Sequence, residues 1–267
     1  MPQADDLLSR GDISGARDLL TEQVRSDPGN FQVRMFLFQI FALTGEWKRA
    51  KSQLDVMTKL DPAAQMLSVA YSQCIEAEQV RRDIFSGQTD MNFLGDVSWA
   101  TGHIENLRNL QSGSQISGSS FSSVFNDAED SPGTSNSGLE FDFLSDVDPR
   151  FGPSVEAIIA GQYGLMPFEC LENITVHPAQ DLKDMIWLQA EFGLRKGARI
   201  AGFIPARYPG SEHNSDEAII AGRATDWEEI GDFQTSIGHR LIMFSDGSEI
   251  PISQLGKLEF GSLGRGA

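Results

Sequence analysis

A repeat with an offset of 34 residues constrains the N-terminal third of this chain more than any other feature. Six landmark residues recur at that offset, five of them unchanged and the sixth with its negative charge kept. The pairs are Gly11/Gly45, Asp12/Glu46, Ala16/Ala50, Leu20/Leu54, Asp27/Asp61 and Pro28/Pro62. A period of 34 residues is typical of tetratricopeptide units, each of which is a pair of helices.

The repeated residue types suit a helix pair for physical reasons. Each glycine permits a sharp turn after the first helix of its unit, and each alanine lets the paired helices approach closely. Each proline prevents the second helix from continuing. Apolar residues recur at helical spacing between these landmarks: Val33, Phe36, Leu37, Ile40, Phe41, Leu54, Met57 and Leu60.

A further helix is expected from Ala63 to about Phe85. It lacks the repeated glycine, since Gln79 stands at that offset, and Ser86-Gly87 ends it. We therefore interpret it as a capping helix that follows two complete units.

Stacked helix pairs leave a concave face lined by the first helix of each unit, and repeat proteins bind their partners there. Six residues are candidates for contact with a partner in this register: Gln32, Met35, Gln39, Met66, Val69 and Gln73. Two interpretations stay open. The face either accepts an amphipathic helix of another protein or packs against the rest of this chain.

Residues 111–138 are dominated by Ser, Gly, Asn and Asp, which bury little apolar area against the entropy of ordering them. They predict a flexible linker, in which Phe121, Val124 and Phe125 are the residues able to dock. The chain is thereby divided into a helical domain over residues 1–110, the linker, and a second domain over residues 139–267.

Short β-branched and apolar runs separated by Pro and Gly predict strands in the second domain. These runs are residues 174–177, 186–194, 200–204, 218–221 and 241–244. Asp246-Gly247 predicts a tight turn after the last of them, and a helix is expected to begin near Gly152-Pro153. The fold class is therefore multidomain, α-helical repeats followed by a small α+β domain that could form a partly closed barrel.

Four acidic residues, Asp142, Asp146, Asp148 and Glu156, invite a metal or acid-base interpretation. Their spacing lacks the Gly and the terminal Glu of a calcium loop. The alternative is that Asp146 and Asp148 cap the expected helix and pair with Arg150. Since no HExxH, GxSxG or Walker sequence occurs, no catalytic, cofactor-binding or metal residue is assigned.

Arg207 and Tyr208 lie between two prolines in GFIPARYPGSE, residues 202–212. We expect a stiff loop to hold them outward, where they are further candidates for gripping a carboxylate or a peptide. The alternative is that Arg207 neutralises an acidic residue of its own domain. A metal-dependent hydrolase that uses Asp142, Asp146 and Asp148 with Arg207 stays open as a second function.

The formal charge of −17, from 21 basic and 38 acidic side chains, disfavours nucleic acid and anionic membranes as partners. Cys74 and Cys170 have no CxxC spacing, which indicates reduced thiols. The acidic N-terminus and the lack of an apolar run of about 20 residues predict a cytoplasmic protein.

Several blocks along nearly the whole chain resemble the ImpE/TagJ family, also called SciE-type proteins, accessory proteins of bacterial type VI secretion systems. The blocks are LFQIFALTGEWKRAKSQLD, DVDPRFGPSVEAIIAGQY with MPF, DLKDMIWLQAEFGL, IPARYPGSE with GRATDW, and IGHRLIMFSDG. PARYPGSE is the most specific of them.

The resemblance implies a non-enzymatic adaptor without cofactors. Its partners would be the small subunit of the contractile sheath, bound through one helix, and the AAA+ ATPase that disassembles the used sheath. This chain departs from the family in two places. Residues 111–138 are Ser- and Gly-rich where an Ala-rich helical stretch is usual, and Phe143 stands where Trp is common. A generic scaffold for another assembly differs only in its partner.

Overall fold

In a computed structural model, which describes residues 2–114 and 116–261, antiparallel helices form the N-terminal third. They are α1 (Pro2–Ser9), α2 (Ile13–Ser26), α3 (Phe31–Leu43), α4 (Trp47–Leu60) and α5 (Gln65–Phe85). The first four form two pairs and α5 follows a 3₁₀ turn at Pro62–Ala64, so the two predicted units and their capping helix are confirmed.

Local interactions explain where these helices begin and turn. Asp12 accepts a hydrogen bond from the Gly15 N–H at 2.7 Å, and Asn30 accepts one from Val33 at 3.1 Å, which satisfies free N–H groups of α2 and α3. Gly11 and Gly45 take left-handed φ angles of 85° and 69° in the turns between paired helices. Apolar residues at helical spacing are expected to be buried, and Leu60 is an exception because it is 43% exposed.

Thirteen strands lie in the described part of the C-terminal half. They are β1 (Gly133–Ser135), β2 (Glu140–Phe141), β3 (Leu144–Asp146), β4 (Ser154–Ile159), β5 (Gln162–Pro167), β6 (Leu171–Val176), β7 (Trp187–Leu194), β8 (Arg199–Pro205), β9 (Thr225–Ile230), β10 (Phe233–Gly238), β11 (Leu241–Phe244), β12 (Glu249–Pro251) and β13 (Lys257–Phe260). The strands predicted at 174–177, 186–194, 200–204 and 241–244 are confirmed as β6, β7, β8 and β11.

The strands form one large sheet, one small sheet and a hairpin. The large sheet has the order β2-β1-β13-β6-β7-β8-β4-β5, the small sheet has the order β12-β11-β3, and β9 pairs with β10. In residues 116–261 the outer strands β2 and β5 do not pair with each other, so barrel closure is not confirmed. The predicted turn at Asp246-Gly247 joins β11 to β12.

Two predicted elements have the wrong type. The strand expected at 218–221 is a short helix, α8 (Glu217–Ile220), because Asp216 accepts a hydrogen bond from the Ala218 N–H at 2.8 Å and caps it. The helix expected near Gly152-Pro153 is strand β4, which is buried along its first five residues and pairs with both β5 and β8.

The connection between the helices and the sheets also differs from the expectation. Residues 88–110, whose weakly helical pattern predicts a helix, form the helix α6 (Ala100–Gln111) only in their second half, because residues 92–94 extend along β5. The Leu94 N–H donates to the Leu165 carbonyl at 2.7 Å, and the Leu165 N–H donates to the Asn92 carbonyl at 2.9 Å.

Residues 111–138 contain helix α7 (Gly118–Phe125) and strand β1 within the described positions. Phe121 is fully buried, and its ring lies 5.6 Å from that of Phe233 on β10. The docking of Phe121 is confirmed, and the segment has more structure than a linker composition suggests. The three domain limits stay predictions.

Aromatic rings join the helices to the large sheet. Tyr71 of α5 lies 5.6 Å from Phe38 of α3, 5.9 Å from Trp187 of β7 and 5.5 Å from Phe203 of β8, measured between ring centroids. One apolar core therefore continues from the repeats into the sheet. Among residues 2–114 and 116–261, no helix has both the length and the hydropathy needed to cross a bilayer.

Candidate functional site

The outer side of α5 carries exposed apolar residues at helical spacing. Met66 is 85% exposed, Val69 is 53% exposed and Val80 is 43% exposed, and Gln73 is exposed between them. Steps of three, seven and fourteen residues from Met66 place all four on one face of the helix. We call these four residues the α5 stripe. Val80 is not among the contact residues predicted from the sequence, although its spacing from Val69 and Gln73 is a sufficient signal.

The other predicted groove residues are less accessible. Gln32 is exposed at the start of α3, Met35 is half-buried and Gln39 is only 7% exposed. The cause is the chain itself, because the 3₁₀ turn Leu182–Met185 and Trp187 pack against α3 and the helices beside it. The predicted open concave face is therefore wrong for Met35 and Gln39, where the alternative of packing against the next domain holds.

A cleft of about 360 Å³ lies between α5 and the large sheet. Ala70 and Gln73 line it from the helix, Gly161 lines it from the β4–β5 turn, and Gln189 and Phe203 line it from β7 and β8. A cleft of this size holds one or two side chains. It adjoins the α5 stripe, so the stripe and the cleft together form a surface with a hydrophobic ridge and a neighbouring pocket.

The prediction that Arg207 and Tyr208 are held outward is wrong, since they are 4% and 0% exposed. Arg207 Nη1 donates to the carbonyl of Leu43 at 3.0 Å and to that of Ile220. The expected alternative, a carboxylate partner, is also absent among its described hydrogen bonds. The guanidinium instead binds the ends of α3 and α8, where the helix dipole favours a cation.

The segment from Arg207 to Arg223 contacts the turn inside each repeat unit. At the first unit, Glu217 accepts a hydrogen bond from the Ile13 N–H at 3.1 Å and Arg223 donates to the Leu8 carbonyl at 2.9 Å. The acid therefore lies at a helix N-terminus and the arginine at a C-terminus. PARYPGSE and the residues after it thus join the two halves of the chain.

A buried charge network lies where α5 meets the sheet. Arg81 bonds Glu156, and Arg240 bonds both Glu156 and Asp146. With the neighbouring Glu78–Arg81 and Asp148–Arg150 pairs, the network holds the guanidinium groups of Arg81, Arg150 and Arg240. Its four carboxylates are those of Glu78, Asp146, Asp148 and Glu156. Arg81 and Arg240 could not be singled out from the sequence, because the residues next to a buried arginine do not distinguish it from an exposed one.

The pKa values in this network follow from its burial. Desolvation raises the pKa of Asp146 to about 6, although the Arg240 charge acts in the opposite direction. Burial likewise lowers the pKa of Arg240 to about 10. With a pKa of about 6, the Asp146 carboxyl is mostly ionised at neutral pH and takes up a proton in mild acid.

Of the three aspartates proposed for hydrolysis, two lie in the buried network with different arginine partners and the third is exposed. Asp146 accepts a hydrogen bond from Tyr208 at 2.7 Å and pairs with Arg240, whereas Asp148 pairs with Arg150 at 2.6 Å and Asp142 is exposed. In the described part of the chain, no three His, Cys, Asp or Glu side chains converge on a position for a metal ion. Arg207 faces carbonyls, not these carboxylates.

Comparison with known proteins agrees with this architecture. The sequence model of the ImpE protein family matches residues 138–259, and a tetratricopeptide repeat model matches residues 7–70. The crystal structure of protein VPA1032 from Vibrio parahaemolyticus has a TM-score of 0.84 over 97% of this chain and 98% of that one. Its 21% identity supports a shared fold alone.

A relative from Pseudomonas aeruginosa, the type VI secretion system accessory component TagJ, is 34% identical over 259 residues. The alignment covers 96% of this chain and 90% of TagJ. A match of this extent and identity, together with the ImpE match in the C-terminal half, shows the family: this chain belongs to the ImpE/TagJ family.

Proposed function

We propose that this chain is a non-enzymatic, cytoplasmic accessory component of a type VI secretion system that holds one helix of another component on the α5 stripe. Family membership supports the system, since the relative from Pseudomonas aeruginosa is an accessory component of one. The observation that carries the binding mode is the exposure of Met66 and Val69 on a helix whose opposite side is buried.

The stripe suits a helix as its ligand. From Met66 to Val80 it extends over fourteen residue steps, about 21 Å along the helix axis. A bound amphipathic helix would lay its apolar face on the stripe and place one or two side chains in the cleft beside Gln73. With two units and one capping helix, the surface has room for about one such helix.

The partner we propose is the small sheath subunit, with the sheath-disassembling AAA+ ATPase as a second partner. Both come from the family resemblance. The net charge of −17 supports a partner whose contacting surface is neutral or basic. The accessory protein would then connect the sheath to the machine that recycles it.

Binding of the purified small sheath subunit, measured by calorimetry, tests the proposal. Met66→Glu and Val69→Glu should each weaken binding at least about tenfold, because a buried charge opposes helix docking. Gln79→Glu adds the same charge to another exposed side of α5 and serves as the matched control. All three variants should keep the melting temperature of the parent within about 2 °C.

Equal affinity of the parent and both stripe variants would exclude the stripe. Failure of the parent to bind the sheath subunit would exclude the partner, and a pulldown of the ATPase with and without sheath subunit tests the proposed link.

A further inference from the structure

The outer edge of β9 has no partner strand in the described part of the chain. β9 pairs with β10 alone, from Thr225–Ile230 to Phe233–Gly238. Every residue of β9 after the first is exposed, including Trp227 at 45% and Ile230 at 37%. Such an edge offers a row of backbone N–H and C=O groups to another chain.

Hydrogen bonds show which backbone groups face outward. Ser236, which lies opposite Trp227, accepts no ladder bond there; its N–H donates to Asp148 at 2.6 Å and its carbonyl accepts from Arg150 at 2.9 Å. Trp227 and Ser236 are therefore a non-hydrogen-bonded pair, and the Trp227 N–H faces the outer edge. Alternation along the strand turns the backbone groups of Thr225 and Glu229 the same way.

Among residues 2–114 and 116–261, the one hydrogen-bond acceptor of the Trp227 N–H is a neighbouring side chain. This N–H donates to Oδ1 of Asp226 at 2.9 Å, an exposed contact within the same strand. A strand that arrived at this edge could replace that contact with a carbonyl oxygen at little cost, because the Asp226 carboxylate would regain water or a cationic partner.

Strand β10 of the hairpin is held against the rest of the chain. Phe233 of β10 packs on Phe121 of α7 with 5.6 Å between ring centroids, and Thr235 and Ser236 are each 3% exposed. One edge of β10 is thus closed by the body of the protein. The other side of the hairpin presents β9 to solvent as a preformed template.

Charge selects the kind of strand that fits. Asp226, Glu228 and Glu229 lie on β9, and none of the three forms an ion pair among residues 116–261. Pairing with β9 of a second copy would bring like charges together across the strands, which is destabilising. Lys or Arg on an incoming strand would be stabilised by the same carboxylates.

We propose that the outer edge of β9 accepts an extended basic segment of a partner protein as an added strand. Backbone hydrogen bonds to Thr225, Trp227 and Glu229 hold the segment. Its cationic side chains pair with the β9 carboxylates, and an apolar side chain covers the Trp227 ring. This site uses no residue of α5 and is independent of the proposed sheath contact.

A capped heptapeptide of alternating lysine and valine is the probe, titrated into the intact chain and followed by calorimetry and amide exchange. We expect binding that weakens with salt and slows exchange at the Trp227 and Glu229 amides at least about tenfold. The same peptide with an N-methyl group on every amide nitrogen keeps its charge but loses the N–H donors of both its edges. It should bind at least about tenfold more weakly.

Two variants separate backbone pairing from charge. Glu229→Pro and Glu229→Ala remove the same carboxylate, but only proline removes the outward N–H, and it spares the ladder to β10. The proline variant should bind at least about tenfold more weakly than the alanine variant, with melting temperatures within about 3 °C of each other.

Three results would overturn the inference. In the first, the two Glu229 variants bind the peptide with equal affinity, or the parent chain binds both peptides with equal affinity; either would mean that charge attraction alone explains the binding. Another is no binding to the parent chain. The third is self-association through β9, seen as exchange at Trp227 that slows with protein concentration in the absence of peptide.

Discussion

Arg81 on α5 and Glu156 on β4 form a two-point ion pair, with 2.6 Å between Nε and Oε1 and 2.8 Å between Nη2 and Oε2. Arg81 is 5% exposed and Glu156 is fully buried. The pair crosses the boundary between the helical repeats and the sheet. It therefore fastens the helix that carries the exposed stripe to the C-terminal half.

Removing one partner of this pair should be costly. Arg81→Met leaves Glu156 buried with only Arg240 and Tyr163 as polar partners, and we expect a loss of about 3 kcal/mol in unfolding free energy. Arg82→Met changes the exposed neighbour and should cost less than about 0.5 kcal/mol. Urea unfolding of both variants measures the difference, and similar losses would contradict a special role for Arg81.

Replacing Gly45 with alanine should cost more stability than its left-handed backbone conformation alone would explain. Gly45 and Gly113 share a φ of 69°, but an added Cβ would lie 2.8 Å from Cγ of Glu212 only at Gly45, and at Gly113 it would meet nothing within 4 Å. Gly113→Ala should therefore cost about 1 kcal/mol through backbone strain, and Gly45→Ala at least about 1 kcal/mol more.

A double variant tests whether Glu212 causes the extra cost at Gly45. Adding Glu212→Ala to Gly45→Ala removes the obstructing Cγ and should recover most of the extra cost in thermal unfolding. If it recovers nothing, the contact between the PARYPGSE segment and the second repeat does not explain the glycine.

His103 should make the protein less stable in mild acid. It is fully buried, and burial lowers its pKa from 6.5 to about 4. Between these values the unfolded chain binds a proton that the folded chain does not, so stability present above pH 6.5 is lost as pH falls toward 4. The expected loss by pH 4.5 is about 2.5 kcal/mol.

His103→Gln isolates this effect. The amide keeps a donor for the Arg150 carbonyl, which lies 2.9 Å from Nε2, but it does not titrate. Asp146, whose raised pKa acts in the opposite direction, is common to both proteins and cancels in the comparison. Chemical unfolding at pH 7 and pH 4.5 should show a smaller decline for the variant; equal declines would place the titration elsewhere.

Arg207→Lys should not be a conservative change. One guanidinium nitrogen of Arg207 donates hydrogen bonds to the Leu43 and Ile220 carbonyls inside the fold. The lysine side chain is shorter, so its ammonium group cannot reach both carbonyls in the same geometry. We expect a loss of about 1–3 kcal/mol in unfolding free energy. Arg199→Lys, on an exposed position of β8, should stay within about 0.5 kcal/mol of the parent.

Elements that depend on neighbours in sequence could be predicted. The turns at Gly11 and Gly45 and the ends of the helices near Pro28 and Pro62 were predictable, because each landmark acts within its own helix pair. Strands β6, β7, β8 and β11 followed from composition in the same way. The short helix α8 did not, since the Asp216 cap outweighed the β propensity of two isoleucines.

Features that depend on distant contacts could not be predicted. In the sequence, Arg207 resembles an exposed loop residue. Its partners are the Leu43 and Ile220 carbonyls, and only the folded chain brings these next to the guanidinium. Gln39 likewise fits a groove position until the turn at Leu182–Met185 covers α3. For the candidate surface, periodicity placed Met66, Val69 and Gln73 correctly on one exposed face.

The position of Arg81 on the inner side of α5 has a mechanical meaning. A partner that pulls on the outer side of this helix would load the Arg81–Glu156 contact and the aromatic packing of Tyr71 directly, with no hinge between the point of attachment and the sheet. The helix would then transmit the force to the sheet without bending, and the whole molecule would move as one rigid body.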